Sequence, residues 1–318
     1  MAKDEARPSK PISGGSIGEA NLPSTAAVAL DGQARASASP FVEGVRRLRR
    51  SATAVVGAVI VGLLLVVAIF ADVLAPQSPI ASDQQHTFER PSWDYPLGTD
   101  QLGRDIFSRV LAGSRIALWV AAVTSFFSLI GGLSLGLISG YGPRWLDSIL
   151  ILLFDSIRAF PTVLFALAIV TILGPSLATI IFIITIFNVP VYARIVRTQT
   201  LSLRETEFIL AERSLGAESW RVLFVHMLPN VIGPLLILVS MDVPVVITIE
   251  AGLSFLGLGV RPPTASWGSI LNDGYAFIRN TPWMVIAGGV PLILATLSFT
   301  FLGESLRDAF DPRLRRDV

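Results

Sequence analysis

The chain contains no cysteine, two histidines and two lysines in 318 residues. Without cysteine there is no disulfide, no thiolate zinc site, no iron–sulfur ligation and no thiol nucleophile. His86 and His226 alone argue against a multi-histidine metal site. Neither Lys3 nor Lys10 follows the glycine-rich loop between strand and helix that a nucleotide-binding P-loop requires. The chain is therefore expected to hydrolyse no nucleotide, and to carry no catalytic residues, metal or cofactor of its own. Charge is scarce too: 15% of residues are charged, against about 25% in a soluble domain. A net charge of +1 gives no bulk attraction to nucleic acid. Apolar residues are abundant, at 52% of the chain with a mean hydropathy of +0.63. The main solvent of such a chain is lipid.

Residues 1–44 read as a disordered cytoplasmic tail, rich in Ser, Ala, Gly and Pro and without apolar periodicity. The tail is not read as a signal peptide, since the first apolar run begins only after Ser51 and no small-residue cleavage site follows it. Residues 45–318 read as the membrane domain. A run of about 20 apolar residues crosses the hydrocarbon core as a helix. Six such spans are expected, at about 51–74, 115–141, 146–172, 177–195, 231–251 and 283–304. Gly174-Pro175 separates the third from the fourth, because proline removes a backbone donor and restricts the residue before it. With both termini inside, fourteen arginines beyond the tail fall on the cytoplasmic side and six on the outer side, as the positive-inside rule requires. Trp145 and Trp283 stand at predicted helix ends, at headgroup level.

Between the fourth and fifth spans lies a cytoplasmic loop, 201–228. Its first half is polar with apolar residues at helical spacing, and Phe208, Leu210, Ala211 and Leu215 can share a face. Gly216 stands where a helix would stop. A second amphipathic run, Trp220 to Leu228, ends at Pro229. Two short helices lying against the membrane serve either as a solvated connector or as a shape that docks into a partner's groove.

The sequence Ala211…Gly216…Leu228-Pro229 resembles the cytoplasmic "EAA" loop of the inner-membrane permeases of ATP-binding-cassette importers. This chain reads Leu210-Ala211-Glu212 where that family reads Glu-Ala-Ala. Pro96-Leu97-Gly98-Thr99-Asp100-Gln101-Leu102-Gly103-Arg104-Asp105 is similar to the "C" subunit type of the dipeptide, oligopeptide and nickel permeases. So are Glu250 to Gly259, Pro262 to Gly268 and Leu306 to Leu314. The likeness runs from about residue 45 to residue 314.

The resemblance implies an all-α membrane protein of the type I importer permease fold, with six transmembrane helices, in the cell (inner) membrane. It implies a homologous second permease subunit, two cytoplasmic ATPase subunits and an external solute-binding protein as partners. The cargo would be di- or oligopeptides, or within the same branch glutathione or a nickel chelate. The loop residues Glu205, Glu207, Ala211, Glu212, Gly216, Ala217, Leu228 and Pro229 would couple to the ATPase, with Glu205, Glu207 or Glu212 in place of the family's glutamate. A secondary transporter or channel is the rival reading, but such carriers tend to show internal repeats, and none is visible here.

Charged or polar groups inside a span are costly and tend to face a cavity or a partner. On this ground Asp155 and Arg158, three residues apart on one helix face, are candidates for an ion pair or for the pathway. Asn188, next to Pro190, and Asp242, with no cation within a helical turn, are further pathway candidates. Asp242 could attract the amino terminus of a peptide. In the outer segments 76–114 and 252–282, Asp100, Arg104, Asp105, Glu250 and Trp267 are expected either to dock the binding protein or to fold these loops over the helices.

Overall fold

The computed structural model describes Arg46 and residues 48–310. The expected tail, 1–44, and the last arginines of the chain lie outside the described residues. Among those described, the secondary structure is helical, with one isolated bridge between Thr99 and Asp105.

Helix α1, Ala52–Ile69, starts where Ser51 Oγ accepts from the Ala54 amide. Its 18 residues span about 27 Å at 1.5 Å per residue. Ala54, Gly57, Val61, Leu64 and Ala68 are buried at helical spacing, while Val55, Val59, Leu63 and Val66 face outward.

Helix α2, Ile106–Tyr141, is 36 residues long, about 54 Å, and so projects well past the hydrocarbon. It begins nine residues before the expected span. Asp105 caps it, accepting from the Phe107 and Ser108 amides at 3.3 and 2.9 Å. The charges that hid this first stretch are neutralised by tertiary partners. Arg109 meets Asp100 and Asp273, and Arg115 meets Asp72 and the Ala68 carbonyl.

The expected third span is not one helix. Helix α3, Arg144–Arg158, and helix α4, Thr162–Leu173, meet at a bend of 91°. Pro161 stands at the break and cannot donate a helix hydrogen bond. The 12 residues of α4 cover only about 18 Å, too little to cross alone. The described residues thus hold five helices long and apolar enough to span a membrane, or six if the bent pair counts as one.

Helix α5, Leu177–Arg204, runs nine residues beyond its expected end. Arg194 and Arg197 continue it by reaching α3, where they pair with Asp155 and Asp147. Helix α6, Glu207–Ser214, follows. Helix α7, Ser219–Phe255, is continuous through a π-helical turn at Val222–Met227. Pro229 has no N–H to give just after that turn, and the Asn230 side chain donates to the His226 carbonyl at 2.6 Å. Helix α8, Trp267–Ala276, forms within the second outer segment from a Ser266/Ser269 capping box. Helix α9, Trp283–Phe310, closes the described chain.

The two largest of four apolar clusters among the described residues hold most of these helices. The first joins Ala117 and Val120 of α2, Ile180 and Ile184 of α5, Ile247 of α7 and Trp267 of α8. The second joins Leu137, Tyr192 and Val196 to Ile209, Val222, Met227 and Leu235. Along the second cluster, Gly132, Gly136 and Gly140 form a stripe on α2 against Tyr192, Val196 and Thr200 of α5. Without a hydrophobic drive between helices in lipid, small residues at spacing four let backbones approach and gain van der Waals contact.

Candidate functional site

Three polar regions stand along the molecule, one at each end and one in the middle. At the end expected from the sequence to face the cytoplasm, Ile209 fastens α6 to the core. It is fully buried among Val222, Met227 and Val231. Phe208, Leu210, Ala211 and Leu215 are exposed, Leu215 to 86%, together with Trp220. These side chains, expected from the sequence to share a face, do not form one stripe: Phe208 and Ala211 lie on one side of the helix, Leu210 projects from another, Leu215 stands just past the last turn, and the buried anchor is the single isoleucine between them.

Gly216 ends the helix at φ +83, with open space where a side chain would go. The Ala217 amide donates to the Glu212 carbonyl at 3.1 Å and closes the turn. Glu205 and Glu207 are exposed, whereas Glu212 leans back so that its carboxylate is 3.6 Å from His226 Nε2. Leu228 and Pro229 belong to the continuous helix α7 rather than to a loop.

In the middle, the structure brings together two residues the sequence named separately and adds a third. Asp242 Oδ2 accepts from Asn188 Nδ2 at 2.8 Å and from Tyr192 Oη at 3.0 Å. Asn188 and Tyr192 come from successive turns of α5, and both are buried. Tyr192 was not a candidate in the sequence, where a lone tyrosine in an apolar run carries no signal.

The expected Asp155–Arg158 pair does not form. Asp155 is hydrogen-bonded to Arg194 of α5 instead, and both are about half exposed. Packing of α3 on α5 through Phe154 and Ala193 puts Arg194 within reach, and α3 ends at Arg158. One turn further, Arg197 grips Asp147 with two hydrogen bonds of 2.6 and 2.7 Å.

At the opposite end, expected to face outside, the residues expected either to dock the binding protein or to fold these loops over the helices are buried. Asp100 is 0% exposed, and Arg104, Asp105, Glu250 and Trp267 are all below a twentieth. Asp100 Oδ1 accepts from the Leu102 and Arg104 amides, while Oδ2 meets Arg104 Nε at 2.6 Å and Arg109 Nε at 3.5 Å. Asp273 of α8 completes the group, 3.4 Å from Arg109. Glu250 accepts from Ser254 at 2.7 Å. Trp267 donates to the Val110 carbonyl at 3.1 Å and lies on Gly113. Asp100, Asp273 and Trp267 thus tie these segments to α2, while Glu250 bonds within α7. Gly98 and Gly103 (φ +75 and +70) let the segment fold back until Cβ positions would run into the Glu89 and Asp83 carbonyls. A cavity of about 270 Å³ remains there, lined in part by Arg104, Arg109, Arg261 and Asp273.

His86, on this outer segment, hydrogen-bonds Glu89 at 2.6 Å. That bond, more than the nearby carboxylates, raises its imidazole above the ordinary 6.5. A raised folded value means that the bond stabilises the segment fully below pH 6.5, with the contribution lost as pH rises through the folded value. With His226 replaced by asparagine, the single remaining histidine NMR resonance is expected to titrate above 6.5, and Glu89→Gln to bring it down. An unshifted titration in Glu89→Gln would remove the bond.

Residues 132–316 match the family described as binding-protein-dependent transport system inner membrane component, and residues 39–91 match the N-terminal TM domain of oligopeptide transport permease C. The dipeptide transport system permease protein DppC of Alkalihalophilus pseudofirmus is 40% identical over 87% of this chain and 91% of its own. The glutathione transport system permease protein GsiD of Pectobacterium atrosepticum is 38% identical over 87% of this chain and 92% of its own. Among solved structures, a chain of the MetNI methionine ABC transporter, in inward-facing conformations, is similar at a TM-score of 0.51 and 19% identity. That likeness covers 63% of this chain and 96% of that one.

Proposed function

The chain belongs to the family of binding-protein-dependent transport system inner membrane components, and on that premise we propose that it is one half of the translocation pore of an ATP-driven peptide importer. The other half would be a homologous permease subunit. Two cytoplasmic ATPases would supply the energy, and an external binding protein would deliver the cargo. Both termini would be cytoplasmic.

The observation that carries the coupling role is α6. It is short and fastened through Ile209, and it leaves Phe208 and Leu210 exposed; Leu215 at its C-cap and Trp220 in the first turn of α7 are exposed too. Outside a membrane span, several exposed apolar side chains along one short stretch of chain mark a partner surface. ATP-driven closure of the partners would push on α6 and, through the second cluster, with Ile209, Val222 and Met227, on α5 and α7. The spans would then move between two states biased by nucleotide. The dipeptide and glutathione permeases among the relatives support a peptide cargo, with the choice among peptides left mainly to the binding protein.

Leu215 is exposed enough that replacing it costs the fold little. Leu215→Asp, in the complete complex, is expected to lower binding-protein-stimulated ATPase activity by about tenfold or more, the equivalent of about 1.4 kcal/mol of lost interface, with the chain still inserted. The chain has no native cysteine, so Leu215→Cys alone would be labelled, and only by a reagent applied from inside. Unchanged stimulation in Leu215→Asp, or labelling from outside, would overturn the coupling role.

A further inference from the structure

We infer that Asp242, held by Asn188 and Tyr192, is a binding site within the membrane for the ammonium group of the transported solute. This rests on the peptide-importer reading and names the contact that reading leaves open. Asp242 lies in the apolar length of α7, between Pro234 and Pro244. An ionised carboxylate at that depth is expensive unless it has partners, and such residues mark solute or ion paths.

Its partners are neutral. Asn188 and Tyr192 both donate to Oδ2, and no Arg or His among the described residues pairs with Asp242. The neighbouring arginines of α5 are already engaged, Arg194 with Asp155 and Arg197 with Asp147. The second oxygen, Oδ1, accepts no hydrogen bond from the described residues, and Asp242 is only partly buried by them. One oxygen is therefore fixed and the other is left to accept a donor.

The donors are themselves held. Tyr192 is 1% exposed and its Cβ is wedged beside Gly132 of α2, while Asn188 is buried one turn earlier on the same helix. A carboxylate only accepts hydrogen bonds, and a cationic N–H donor makes the strongest bond to it. A free amino terminus supplies three such donors, and every unblocked peptide carries one. On this geometry Asn188 and Tyr192 are positioning residues, and Asp242 is the group that touches cargo.

The test uses the full complex in proteoliposomes and two cargoes, a dipeptide and its N-acetyl derivative, each at saturating binding protein. The preference of the binding protein is common to all permease variants and cancels when the ratio of the two uptakes is compared. Asp242→Asn is expected to cut uptake of the free dipeptide about tenfold, as for loss of a charge-assisted hydrogen bond, and that of the acetylated one no more than about twofold. Asp242→Glu should recover most of the ratio. Uptake of both cargoes falling together would make Asp242 a packing residue only, and no change in either would also overturn the site. If the unmodified complex stimulates ATPase with loaded binding protein yet imports neither dipeptide, the peptide reading itself has failed, and this inference with it.

Discussion

Replacing Gly132 with leucine is expected to prevent the helical core from assembling. A Cβ at Gly132 would lie 2.2 Å from Tyr192 Cβ and 3.2 Å from the Ala193 amide nitrogen. Those are the near-backbone atoms of α5, not the far end of a flexible side chain, so no rotamer change relieves the overlap. The helices must part, and parting them also undoes the contacts of Gly136 with Val196 and of Gly140 with Thr200. Overpacking of an ordinary core costs about 1–3 kcal/mol, sometimes more. Here it falls on the most intimate helix pair, within a total stability of about 5–15 kcal/mol. The internal control is Gly62→Leu. Gly62 meets nothing within 4 Å, and leaving glycine in a helix gains up to about 1 kcal/mol. Size-exclusion profiles of the two variants in detergent should diverge: aggregate for Gly132→Leu, a monodisperse peak for Gly62→Leu. If Gly132→Leu elutes and melts like Gly62→Leu, the α2–α5 approach described above is wrong.

The glycine stripe and the spans differ in how they are written in the chain. A span is a local property, since a run of apolar residues long enough to cross lipid needs no knowledge of its neighbours. Hence α1, the apolar part of α2 and α9 could be read directly. The first turns of α2 could not, because Arg109 and Arg115 break the run and their counter-charges lie far off. Asp273 is 164 residues from Arg109, and Asp72 is 43 from Arg115. The same remoteness misplaced Asp155. Arg158 is its neighbour on the helix, yet Arg194, from a packed helix, wins it.

Legibility of the functional residues follows the same division. The element proposed for coupling is local, so its motif was visible down to Gly216, and the anchor at Ile209 required the fold. In the middle region, Asn188 and Asp242 were conspicuous as polar residues in apolar runs. Their union, and Tyr192 with it, depends on how α5 crosses α7. At the outer end the motif residues were conspicuous for a different reason. Asp100, Arg104 and Trp267 sit in segments that look solvated because they are polar, but their own polar groups are spent on other polar groups. Composition cannot distinguish a charge facing water from one facing its counter-charge.

That last point carries a prediction of large effect. Asp100→Ala is expected to release the outer segment from α2. Asp100 is fully buried and its carboxylate accepts three hydrogen bonds, from the Leu102 and Arg104 amides and Arg104 Nε, with Arg109 Nε an ion contact at 3.5 Å. Removing it leaves two adjacent buried guanidinium groups with Asp273 as their only shared anion, at 3.8 and 3.4 Å. Breaking one side of a buried ion group costs about 3–5 kcal/mol, because the surviving charge stays desolvated. Asp100→Asn should be milder, since the amide oxygen still serves the Leu102 and Arg104 amides while the charge is gone. Asp105→Ala, which removes the cap of α2, should cost only about 1 kcal/mol. Trypsin added from outside reports the order directly. Arg104 and Arg109 are protected by burial, and cleavage after them should be fastest in Asp100→Ala, slower in Asp100→Asn and slowest in Asp105→Ala. Equal protection in Asp100→Ala and Asp105→Ala would mean that the outer segments are held by the apolar seat of Trp267 and not by the buried charges. The binding protein would then meet a surface whose shape is set by that one indole.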